Sequence, residues 1–468
     1  MARLPSLMPL TSSMFLLPES RDQPMHVGGL QLFEPPEGAG PDYLTQLYRE
    51  AVSTPPDQVG PLFRRRPHRG WGTLGQWGWL DDGDIDLEHH IRHSALPSPG
   101  RVRELLALVS RLHGTLLDRH RPLWETHLIE GLADGRFAVY AKIHHAVMDG
   151  VSALRLTERS LSRDPDSRDE PMPFARQPRH RREPDETNLL DSLTNAAGTV
   201  GSALTDVVGL TPRLVSIAVS ALRDQASATL PGQAPRSMLN VPITGSRRFA
   251  ADAWELARIR AVGKKSGCTI NDVILAMCAH ALRDYLIEQD ALPDAALVAM
   301  TPVSLRTDDD DDDDGEAGNA VGAILVSLGT EIPDPEARLL AIRASSRQAK
   351  AALSGLSQLQ VTALSAAVMS PLLVNQVLGA HSVLRPAFNL IISNVPGPQH
   401  PLYWNGARLD GMYPLSIPFA GQALNVTITS YNGRAHFGLT GDRRALPHLQ
   451  RLLNGIEEGL AALEKAFA

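Results

Sequence analysis

The spacing of apolar residues changes along the chain, which predicts a mixture of strands and helices. Apolar and polar positions alternate in residues 137–145 (FAVYAKIHH), as in a half-buried strand, and residues 26–33 resemble a second strand. Residues 104–117 repeat their apolar positions at helical spacing instead. By the same criteria, the second half of the chain contains helices at 255–267, 270–289 and 446–467 and strands at 297–305, 321–328 and 388–397.

One hairpin is specified by its turn residues. Two alternating segments within residues 423–441 flank Asn432 and Gly433. A two-residue hairpin turn of type I′ needs positive φ at both central positions, which asparagine and glycine tolerate better than other residues. The sequence therefore predicts an antiparallel pair of strands joined at this dipeptide.

Breaks in the pattern divide the chain into parts. At 468 residues it is too long for one ordinary core, and residues 163–188 are rich in proline and in charges of both signs. Residues 189–228 return to a weakly charged helical pattern. We predict an N-terminal domain at 1–185, a helical connector at 186–238 and a C-terminal domain at 239–468.

Composition excludes some classes of function. The chain has 43% hydrophobic residues, 21% charged residues and a net charge of −7, so it offers no excess positive charge to nucleic acid. Its two cysteines, Cys268 and Cys278, form no CxxC motif and predict reduced thiols in the cytoplasm. The N-terminal 20 residues are interrupted by prolines and lack a cleavage site, which disfavours a signal peptide.

Two segments stand out by their charge. Seven consecutive aspartates, Asp308 to Asp314, predict a solvated loop because adjacent carboxylates repel one another. Residues 351–384 carry no charge, yet scattered polar residues favour a buried helical pair over a membrane span. This segment is also a candidate for lining an apolar channel. The segment, or the connector, is a candidate for docking on a membrane or lipid droplet.

The strand at 137–145 ends in two adjacent histidines followed by Met148, Asp149 and Gly150. Side chains of a strand alternate between its faces, so His144 and His145 point to opposite sides. The sequence leaves open which of them faces a cleft. We expect Asp149 and Gly150 to form a tight turn before a helix at 151–162, since glycine adopts backbone angles that other residues avoid.

The pair His144 and His145 could also be a metal site or two structural histidines, and a second histidine pair in the chain offers a comparison. Neighbouring residues of a strand chelate a metal poorly and no HExxH motif is present, so we predict no metal site. His89 and His90 are also adjacent but lack the following Asp-Gly, and two satisfied structural histidines would explain them. Only the pair followed by Asp-Gly therefore indicates chemistry.

The segment HHAVMDG resembles the HHxxxDG signature of CoA-dependent acyltransferases and peptide-synthetase condensation domains. Further motifs are similar to those of the bacterial wax ester synthase/diacylglycerol acyltransferase family, in matching order from about Ser12 to Leu463. These are RPLWE at 121–125, TIND at 269–272, PVSLR at 302–306, SNVPGP at 393–398 and the hairpin from Asn425 to Gly438. The aspartate run is a departure from that pattern.

The resemblance implies a fold class and a reaction. The fold would be α/β with mixed sheets, in two chloramphenicol-acetyltransferase-like domains with the active site at their interface. The reaction would be transfer of a long acyl chain from acyl-CoA to a fatty alcohol or diacylglycerol. His145 would be the general base, His144 a structural residue, and Asp149 an anchor of the loop through an ion pair with an unidentified arginine.

Other residues are assigned from the sequence itself. Asn271 lies on the apolar stripe of its helix and points inward, where it could stabilise negative charge on the thioester oxygen or hold the alcohol. Alternatively it caps the helix with Thr269, and both roles can hold. Arg247 and Arg248, or alternatively Arg64 to Arg66, are candidates for the CoA phosphates. No GxSxG element surrounds a serine, which favours direct transfer in a ternary complex.

The expected partners are acyl-CoA, as a substrate, and the acceptor lipid, with no permanently bound cofactor and no nucleic acid. We expect the protein in the cytoplasm, with peripheral association at the inner membrane or at lipid inclusions as a further hypothesis. Two alternatives remain open at this point. One is a non-catalytic lipid-binding protein of the same fold, and the other is an amide-forming condensation-domain enzyme.

Overall fold

The computed structural model of the chain describes residues 5–73, 75–168, 170–175, 233–304, 321–353, 361, 364, 368 and 385–468. The predicted helical connector lies outside the described residues up to residue 232, as does the aspartate run. Of the charge-free segment after residue 353, only positions 361, 364 and 368 are described, and their side chains Val361, Leu364 and Val368 are buried. The domain limits predicted from the sequence stay a prediction.

The described helices fall close to the positions where apolar residues recur at helical spacing. They are α1 (Leu10–Leu16), α2 (Tyr43–Val52), α3 (Leu87–His90), α4 (Val102–His113), α5 (Gly150–Arg159), α6 (Leu256–Ser266), α7 (Ile270–Glu288), α8 (Pro335–Leu353) and α9 (Arg451–Ala466). Helix α9 begins five residues later than predicted, because His448 has a φ of 57° and ends the preceding turn in a left-handed conformation.

The described strands form one small sheet and two large ones. They are β1 (Ser6–Leu7), β2 (His26–Glu34), β3 (Arg65–Arg69), β4 (Trp77–Asp81), β5 (Ile91–Ala95), β6 (Trp124–Glu130), β7 (Phe137–His144), β8 (Arg247–Glu255), β9 (Val298–Ser304), β10 (Val321–Ser327), β11 (Leu390–Val395), β12 (Tyr403–Trp404), β13 (Ala407–Leu415), β14 (Leu424–Tyr431) and β15 (Arg434–Asp442). The predicted strands at 26–33, 137–145 and in the second half of the chain are all present.

The two six-stranded sheets have the orders β12-β13-β2-β7-β6-β5 and β10-β9-β11-β14-β15-β8. Each is mixed: β5 runs parallel to β6, and β11 runs parallel to β9 and β14, while the other pairs are antiparallel. The fold is therefore α/β with mixed sheets, as predicted.

The first sheet contains strands from both ends of the sequence. Strand β13, from the C-terminal part of the chain, pairs antiparallel with β2, from Arg408 opposite Glu34 to Leu415 opposite Gly28. The chain thus crosses from the second sheet back to the first between β11 and β13. This crossing joins the two sheets around the space that His145 faces.

The hairpin between β14 and β15 confirms the predicted turn. Asn432 and Gly433 have φ values of 43° and 79°, and Tyr431 pairs with Arg434 across them. Both central residues are therefore left-handed, as a type I′ turn requires.

Helices α6, α7 and α9 cover the outer face of the second sheet. A Cβ atom at Gly455 would lie 2.8 Å from the Cα of Ala281, so glycine allows α9 to approach α7 closely. The apolar stripe predicted for α7 is buried in this layer at all six positions, Ile274, Met277, Cys278, Ala281, Leu282 and Tyr285.

Candidate active site

A cavity of about 530 Å³ lies between the two large sheets, at the end of β7. Val139, Ala141 and Ile143 line it from one face of β7, and His145 follows on the same side. The alternation predicted from the sequence therefore directs His145, and not His144, to the cavity. The opposite wall comes from the second sheet and includes Met300, Ile391, Ser393, Asn425 and Thr427, while Met412 of β13 lines the cavity from the first sheet.

His145 is held by its backbone and by its ring. Its amide donates a hydrogen bond to the carbonyl of Met25 over 2.8 Å. Its imidazole stacks on Phe15 of α1, with ring centroids 4.0 Å apart and planes 21° from parallel. Burial lowers the pKa of His145 to about 4, although the negative charge of Asp149 acts in the opposite direction. The ring is therefore neutral at pH 7 and has a lone pair available to accept a proton.

His144 lies on the opposite side of the strand and is fully buried. Its Nδ1 accepts a hydrogen bond from the Ala146 amide over 3.0 Å, so the proton of the neutral ring is on Nε2. Nε2 lies 3.3 Å from the Glu19 carboxylate, which fixes the orientation of the ring. This geometry agrees with a structural role for His144.

Glu19 is a site residue that the sequence analysis missed. Its side chain is 2% exposed, and it accepts hydrogen bonds from Arg119 at 2.9 Å and from the Met25 amide at 3.2 Å. Burial raises the pKa of Glu19, but the bonds to His144 and Arg119 outweigh burial and lower it below its ordinary value. Through the backbone of Met25, Glu19 supports His145 as well as His144.

The signal for Glu19 in the sequence was weak. It is the first acidic residue of the chain, standing among the apolar and small residues of the N-terminal segment. Nothing in that segment shows that the carboxylate meets a histidine 125 positions further along. The pairing of His26 with His144 between β2 and β7 brings the two regions together, as do the contacts of Phe15 and Met25 with His145.

Asp149 caps a helix. Its Oδ1 accepts a hydrogen bond from the Ser152 amide over 2.7 Å at the N-terminus of α5. The expected arginine partner is not found: in the part of the chain that the structure describes, no arginine lies within ion-pair distance of Asp149. The loop is thus anchored by the backbone of α5.

Gly150 differs from its prediction. It is the first residue of α5 and is not among the glycines with positive φ, so it does not form the expected left-handed turn. A Cβ atom at this position would meet nothing within 4 Å, and the residue lies at the cavity.

Asn271 is not part of the described lining of the cavity. The capping explanation applies to its neighbours: Thr269 accepts a hydrogen bond from the Asp272 amide, and the Asp272 carboxylate accepts one from the Thr269 amide over 2.9 Å. The sequence correctly identified the buried stripe of α7. A role of Asn271 in the reaction stays a prediction.

Arg247 is a buried structural residue, which corrects its assignment to the CoA phosphates. It donates to the carbonyls of Thr244 and, over 3.0 Å, of Asp22, and it lies 3.9 Å from the Asp442 carboxylate. Burial lowers the pKa of Arg247 to about 10. Neither it nor Arg248 is among the described residues that line the cavity.

Strand β14 supplies polar groups that the sequence analysis did not assign to the site. Asn425, Thr427 and Thr429 alternate with apolar residues and all line the cavity. The hydroxyl of Thr427 donates to Oδ1 of Asn425 over 2.8 Å, which orients the amide so that Nδ2 is its remaining donor group. The polar alternation NVTIT was the available signal, but a strand pattern alone does not show which face meets a cavity.

One histidine and carboxylate cluster lies apart from the cavity. His280, Asp284 and Glu458 have polar atoms within 4.8 Å of one another. Nδ1 of His280 accepts a hydrogen bond from Arg338 over 2.9 Å, so Nε2 carries the ring proton and faces Asp284 at 3.1 Å. The cluster is held by hydrogen bonds, and a metal would have to displace the proton on Nε2.

Solved structures with the same arrangement of sheets define the class of fold. The first condensation domain of the CDA synthetase matches with a TM-score of 0.59 at 13% identity, over 100% of this chain and 98% of that one. The starter condensation domain of rhizomide synthetase, in complex with C8-CoA, matches with a TM-score of 0.57 at 14% identity over 99% and 94%. The chain thus has the two-domain fold of condensation domains, which resembles chloramphenicol acetyltransferase.

Closer relatives define the family. Residues 8–274 match the wax ester synthase/diacylglycerol acyltransferase catalytic domain, and residues 317–464 match the C-terminal domain of the same family. The wax ester synthase/diacylglycerol acyltransferase from Marinobacter aquaeolei VT8 matches with a TM-score of 0.78 at 42% identity, over 99% of both chains. The chain belongs to this family of acyltransferases.

Mycobacterial proteins are also similar over nearly the whole chain. A Mycobacterium tuberculosis protein named "Probable diacyglycerol O-acyltransferase tgs2" is 52% identical over 98% of this chain and 99% of its own length. A Mycobacterium bovis relative is 44% identical over 97% of this chain and 90% of its own.

In the part of the chain that the structure describes, no helix has the length and apolar character to cross a membrane.

Proposed function

We propose that the protein transfers a long-chain acyl group from acyl-CoA to the hydroxyl of a diacylglycerol or a fatty alcohol, with His145 as the general base. The observation that carries this proposal is a neutral imidazole facing an apolar cavity between the two sheets, beside the carboxylate of Asp149. The substrate classes are taken from the names of the relatives. A diacylglycerol acceptor would give triacylglycerol, and a fatty alcohol would give a wax ester.

The reaction needs a base because an alcohol is a weak nucleophile at neutral pH. A ring nitrogen of His145 accepts the hydroxyl proton while the oxygen forms a bond to the thioester carbonyl carbon. The tetrahedral intermediate then collapses with cleavage of the carbon–sulfur bond, and the imidazolium returns the proton to the CoA thiolate. No covalent acyl-enzyme is required, so both substrates occupy the cavity together.

Asp149 assists this proton transfer without taking the proton itself. Its negative charge raises the pKa of His145 against the effect of burial and so stabilises the imidazolium that forms in the transition state. Its bond to the Ser152 amide keeps the carboxylate in place at the N-terminus of α5. The residue therefore combines a helix cap with an electrostatic role.

The opposite wall offers a donor for the developing oxyanion. Asn425 is 2% exposed and its Oδ1 is occupied by Thr427, which leaves Nδ2 as the group able to donate into the cavity. A donor placed in a site from which water is excluded stabilises charge more strongly than it would in solvent. We assign Asn425 this role in place of Asn271.

The apolar lining suits the acyl chain. The cavity is bounded mainly by side chains such as Val27, Phe33, Leu154 and Met412. Each methylene removed from water contributes roughly 0.8 kcal/mol. Acyl-CoA enters as a diffusing substrate, and the absence of a resident cofactor stays a prediction.

The experiment is an acceptor-dependence assay. Purified protein is mixed with palmitoyl-CoA and either hexadecanol or a diacylglycerol, CoA release is followed with a thiol reagent, and the lipid product is identified by mass spectrometry. We expect CoA release that requires an acceptor and matches ester formation one to one. Release without acceptor would indicate a thioesterase, and lipid binding without turnover would indicate a carrier; either result contradicts the proposal. An amine acceptor tests the amide-forming alternative.

A further inference from the structure

A polar contact crosses the cavity at a distance from His145. Nε2 of Gln31, on β2, donates a hydrogen bond to Oγ1 of Thr157, on α5, over 3.4 Å. Oγ1 of Thr157 donates in turn to the carbonyl of Ala153 over 3.1 Å, so it meets Gln31 as an acceptor only. Gln31 and Thr157 both line the cavity. We call their contact the Gln31–Thr157 bridge.

The bridge spans an arm of the cavity between the first sheet and α5. On β2, the arm is lined by residues two positions apart on one face of the strand, namely Val27, Gly29, Gln31 and Phe33. Leu154 and Thr157 line it from α5, and none of the residues of α5, which the structure describes throughout, is buried. The helix therefore covers space that a ligand can fill.

The bridge lies at a defined depth from the catalytic end of β7. His26 pairs with His144, and Gln31 pairs with Val139, five positions further along β2. At ~3.4 Å per residue, the bridge is about 17 Å along the sheet from His144. Gln31 is therefore far from the reacting atoms.

Helix α5 gives a second measure of this depth. Thr157 follows the N-cap Asp149 by eight positions, or about 12 Å at ~1.5 Å per residue. An extended hydrocarbon chain advances about 1.25 Å per bond, because its C–C bonds of ~1.5 Å meet at tetrahedral angles. A chain that starts at His145 therefore meets the bridge between about its tenth and its fourteenth carbon.

The lining of the cavity continues past the bridge to a wall of aromatic rings. Phe33 follows Gln31 on the same face of β2, about 7 Å further along the strand. The ring of Phe33 stacks on Phe137 with centroids 5.3 Å apart, and its centroid is 5.9 Å from that of Trp404. Phe33 and Trp404 both line the cavity. A chain that passed the bridge would have room for about five more carbons before these rings.

Gly29 keeps the arm open between the bridge and His145. A Cβ atom at Gly29 would have a single described neighbour within 4 Å, namely Nε2 of Gln31 at 4.0 Å. The Gln31 amide therefore reaches back along the cavity face of β2 over this open position. A chain that runs along β2 from His145 passes Gly29 first and then meets the amide.

The Gln31 amide opposes the passage of a hydrocarbon chain. Among the described residues, its side chain makes no hydrogen bond besides the bridge, so Oε1 and the second N–H are satisfied only by water. A chain that passes must separate Gln31 from Thr157 and remove that water, which lowers affinity roughly five- to 150-fold. Each methylene that enters the space beyond raises affinity only about fourfold. The first methylenes past the bridge thus bring no net gain.

We propose that the Gln31–Thr157 bridge selects substrates by length, stopping a straight hydrocarbon chain about 14 carbons from its reacting end. This inference rests on the proposed function for the identity of the substrates, and it adds the residues that limit their chain length. The acyl chain of a thioester and the alkyl chain of an alcohol share this chemistry, and the experiment separates the two.

Equilibrium binding tests the proposal without requiring turnover. Dissociation constants are measured by calorimetry for two series from C6 to C18: S-alkyl-CoA thioethers, which cannot transfer their chain, and 1-alkanols delivered from cyclodextrin. In one of the two series, affinity for the wild-type protein rises up to about C14 and then levels off. The series that shows this limit identifies the chain that lies along β2. A steady rise to C18 in both series would overturn the proposal.

The decisive variant is Gln31→Leu. Leucine has a similar volume but forms no bond to Thr157 and holds no water, so affinity should keep rising past C14. The ratio of C18 to C14 affinities should exceed the wild-type ratio by roughly tenfold or more, while affinity for C10 stays within about twofold. If Gln31→Leu kept the wild-type profile, volume would set the limit and the role of the bridge would be overturned.

Two control variants should keep the wild-type profile. Thr157→Ser retains the hydroxyl that accepts the hydrogen bond from Gln31. Leu32→Val changes the next residue of β2, which points to the opposite face and is buried in a cluster with Leu105 and Val109. A shift of the limit in Leu32→Val as large as that in Gln31→Leu would show a response to any change in the strand and would contradict the proposal.

Gly29→Val should move the limit in the opposite direction. Its branched side chain enters the open part of the arm two residues nearer to His145, so the limit should fall by about five carbons, to near C9. The melting temperature should change little, because the new Cβ has no described neighbour closer than 4.0 Å. An unchanged limit would mean that the chain does not run along β2, which overturns the proposal.

Acyl transfer separates this proposal from the proposed function. Values of kcat/KM for acyl-CoAs and alcohols of the same lengths should follow the binding profiles. If binding shifts as expected but no ester forms, the proposed function fails and the selection by length stands. If ester forms but Gln31→Leu changes neither series, the selection by length is overturned and the proposed function stands.

Discussion

Two pairs of adjacent histidines lie in similar local settings, yet only one pair meets a cavity. His89 and His90 end the short helix α3, whose N-cap is Asp86, while His144 and His145 end β7 shortly before the helix capped by Asp149. Each pair therefore lies near an aspartate that caps the N-terminus of a helix. The difference lies in what surrounds the rings of His90 and His145.

His90 is enclosed on all sides. It is 1% exposed, its ring stacks on Trp124 with centroids 4.5 Å apart, and its Nδ1 donates to the carbonyl of Trp124 over 2.8 Å. Burial lowers the pKa of His90 to about 4, the same value that His145 reaches. A lowered pKa is thus common to both pairs, and access to a cavity distinguishes the catalytic candidate.

The largest effect should come from His145→Ala. Loss of a general base costs about 10²- to 10⁴-fold in kcat, so turnover of palmitoyl-CoA with hexadecanol should fall by that factor while the melting temperature changes little. His90→Ala is the control, with lower stability but unchanged activity per folded molecule. Equal loss of activity in the two variants would remove the distinction between the pairs.

Glu19→Gln should have the next largest effect. The change removes the carboxylate that binds Arg119, His144 and the Met25 amide, so we expect a loss of about 1–3 kcal/mol in the free energy of unfolding. Because the carbonyl of Met25 also accepts a hydrogen bond from the His145 amide, loss of the Glu19 carboxylate should displace the His145 ring. A displaced base transfers the proton less efficiently, so kcat should fall roughly tenfold. Chemical denaturation and CoA-release kinetics measure the two effects.

The control for Glu19 is Glu34→Gln. Glu34 pairs with Arg408 at 2.7 Å, but both side chains are more than 40% exposed. Exposed ion pairs contribute about 0–1 kcal/mol, so this variant should retain stability and activity. If it matched Glu19→Gln in both respects, the buried carboxylate would have no special role.

Asp149→Asn separates charge from capping. Asparagine caps helices as well as aspartate does, so stability should hold, but the loss of negative charge lowers the pKa of His145 further and kcat by about tenfold. Asp86→Asn makes the same change beside the other pair and should leave kcat unaltered. An unchanged kcat in Asp149→Asn would show that its carboxylate only caps α5.

Phe15→Leu should have the smallest effect. An aromatic stack contributes about 0.5–1.5 kcal/mol beyond its buried area, so loss of this positioning contact should lower kcat some three- to tenfold with little change in KM. Phe249→Leu, a buried position outside the cavity lining, should lower stability without altering kcat. A KM effect alone would assign Phe15 to substrate binding.

The sequence predicted local structure better than long-range partners. Alternation along β7 correctly separated the faces of His144 and His145, and Asn432-Gly433 specified its turn. Glu19 was missed because its side-chain partners Arg119 and His144 lie 100 and 125 positions away. Periodicity identified the buried side of α7 but not which neighbour covers that side, so the role of Asn271 stays a prediction. The return of β13 to the first sheet left no sign in its own pattern.

The dependence of kcat/KM on pH tests the central claim most directly, when it is measured beside the NMR titration of His145. A base acts only when it is unprotonated, so activity is lost as pH falls through the pKa of the free enzyme. We predict constant kcat/KM from pH 8 to 5, a reversible fall with a midpoint near 4, and the same midpoint for the His145 ring. An activity midpoint near the ordinary histidine value of about 6.5 while His145 stays neutral would contradict the assignment of His145 as the base.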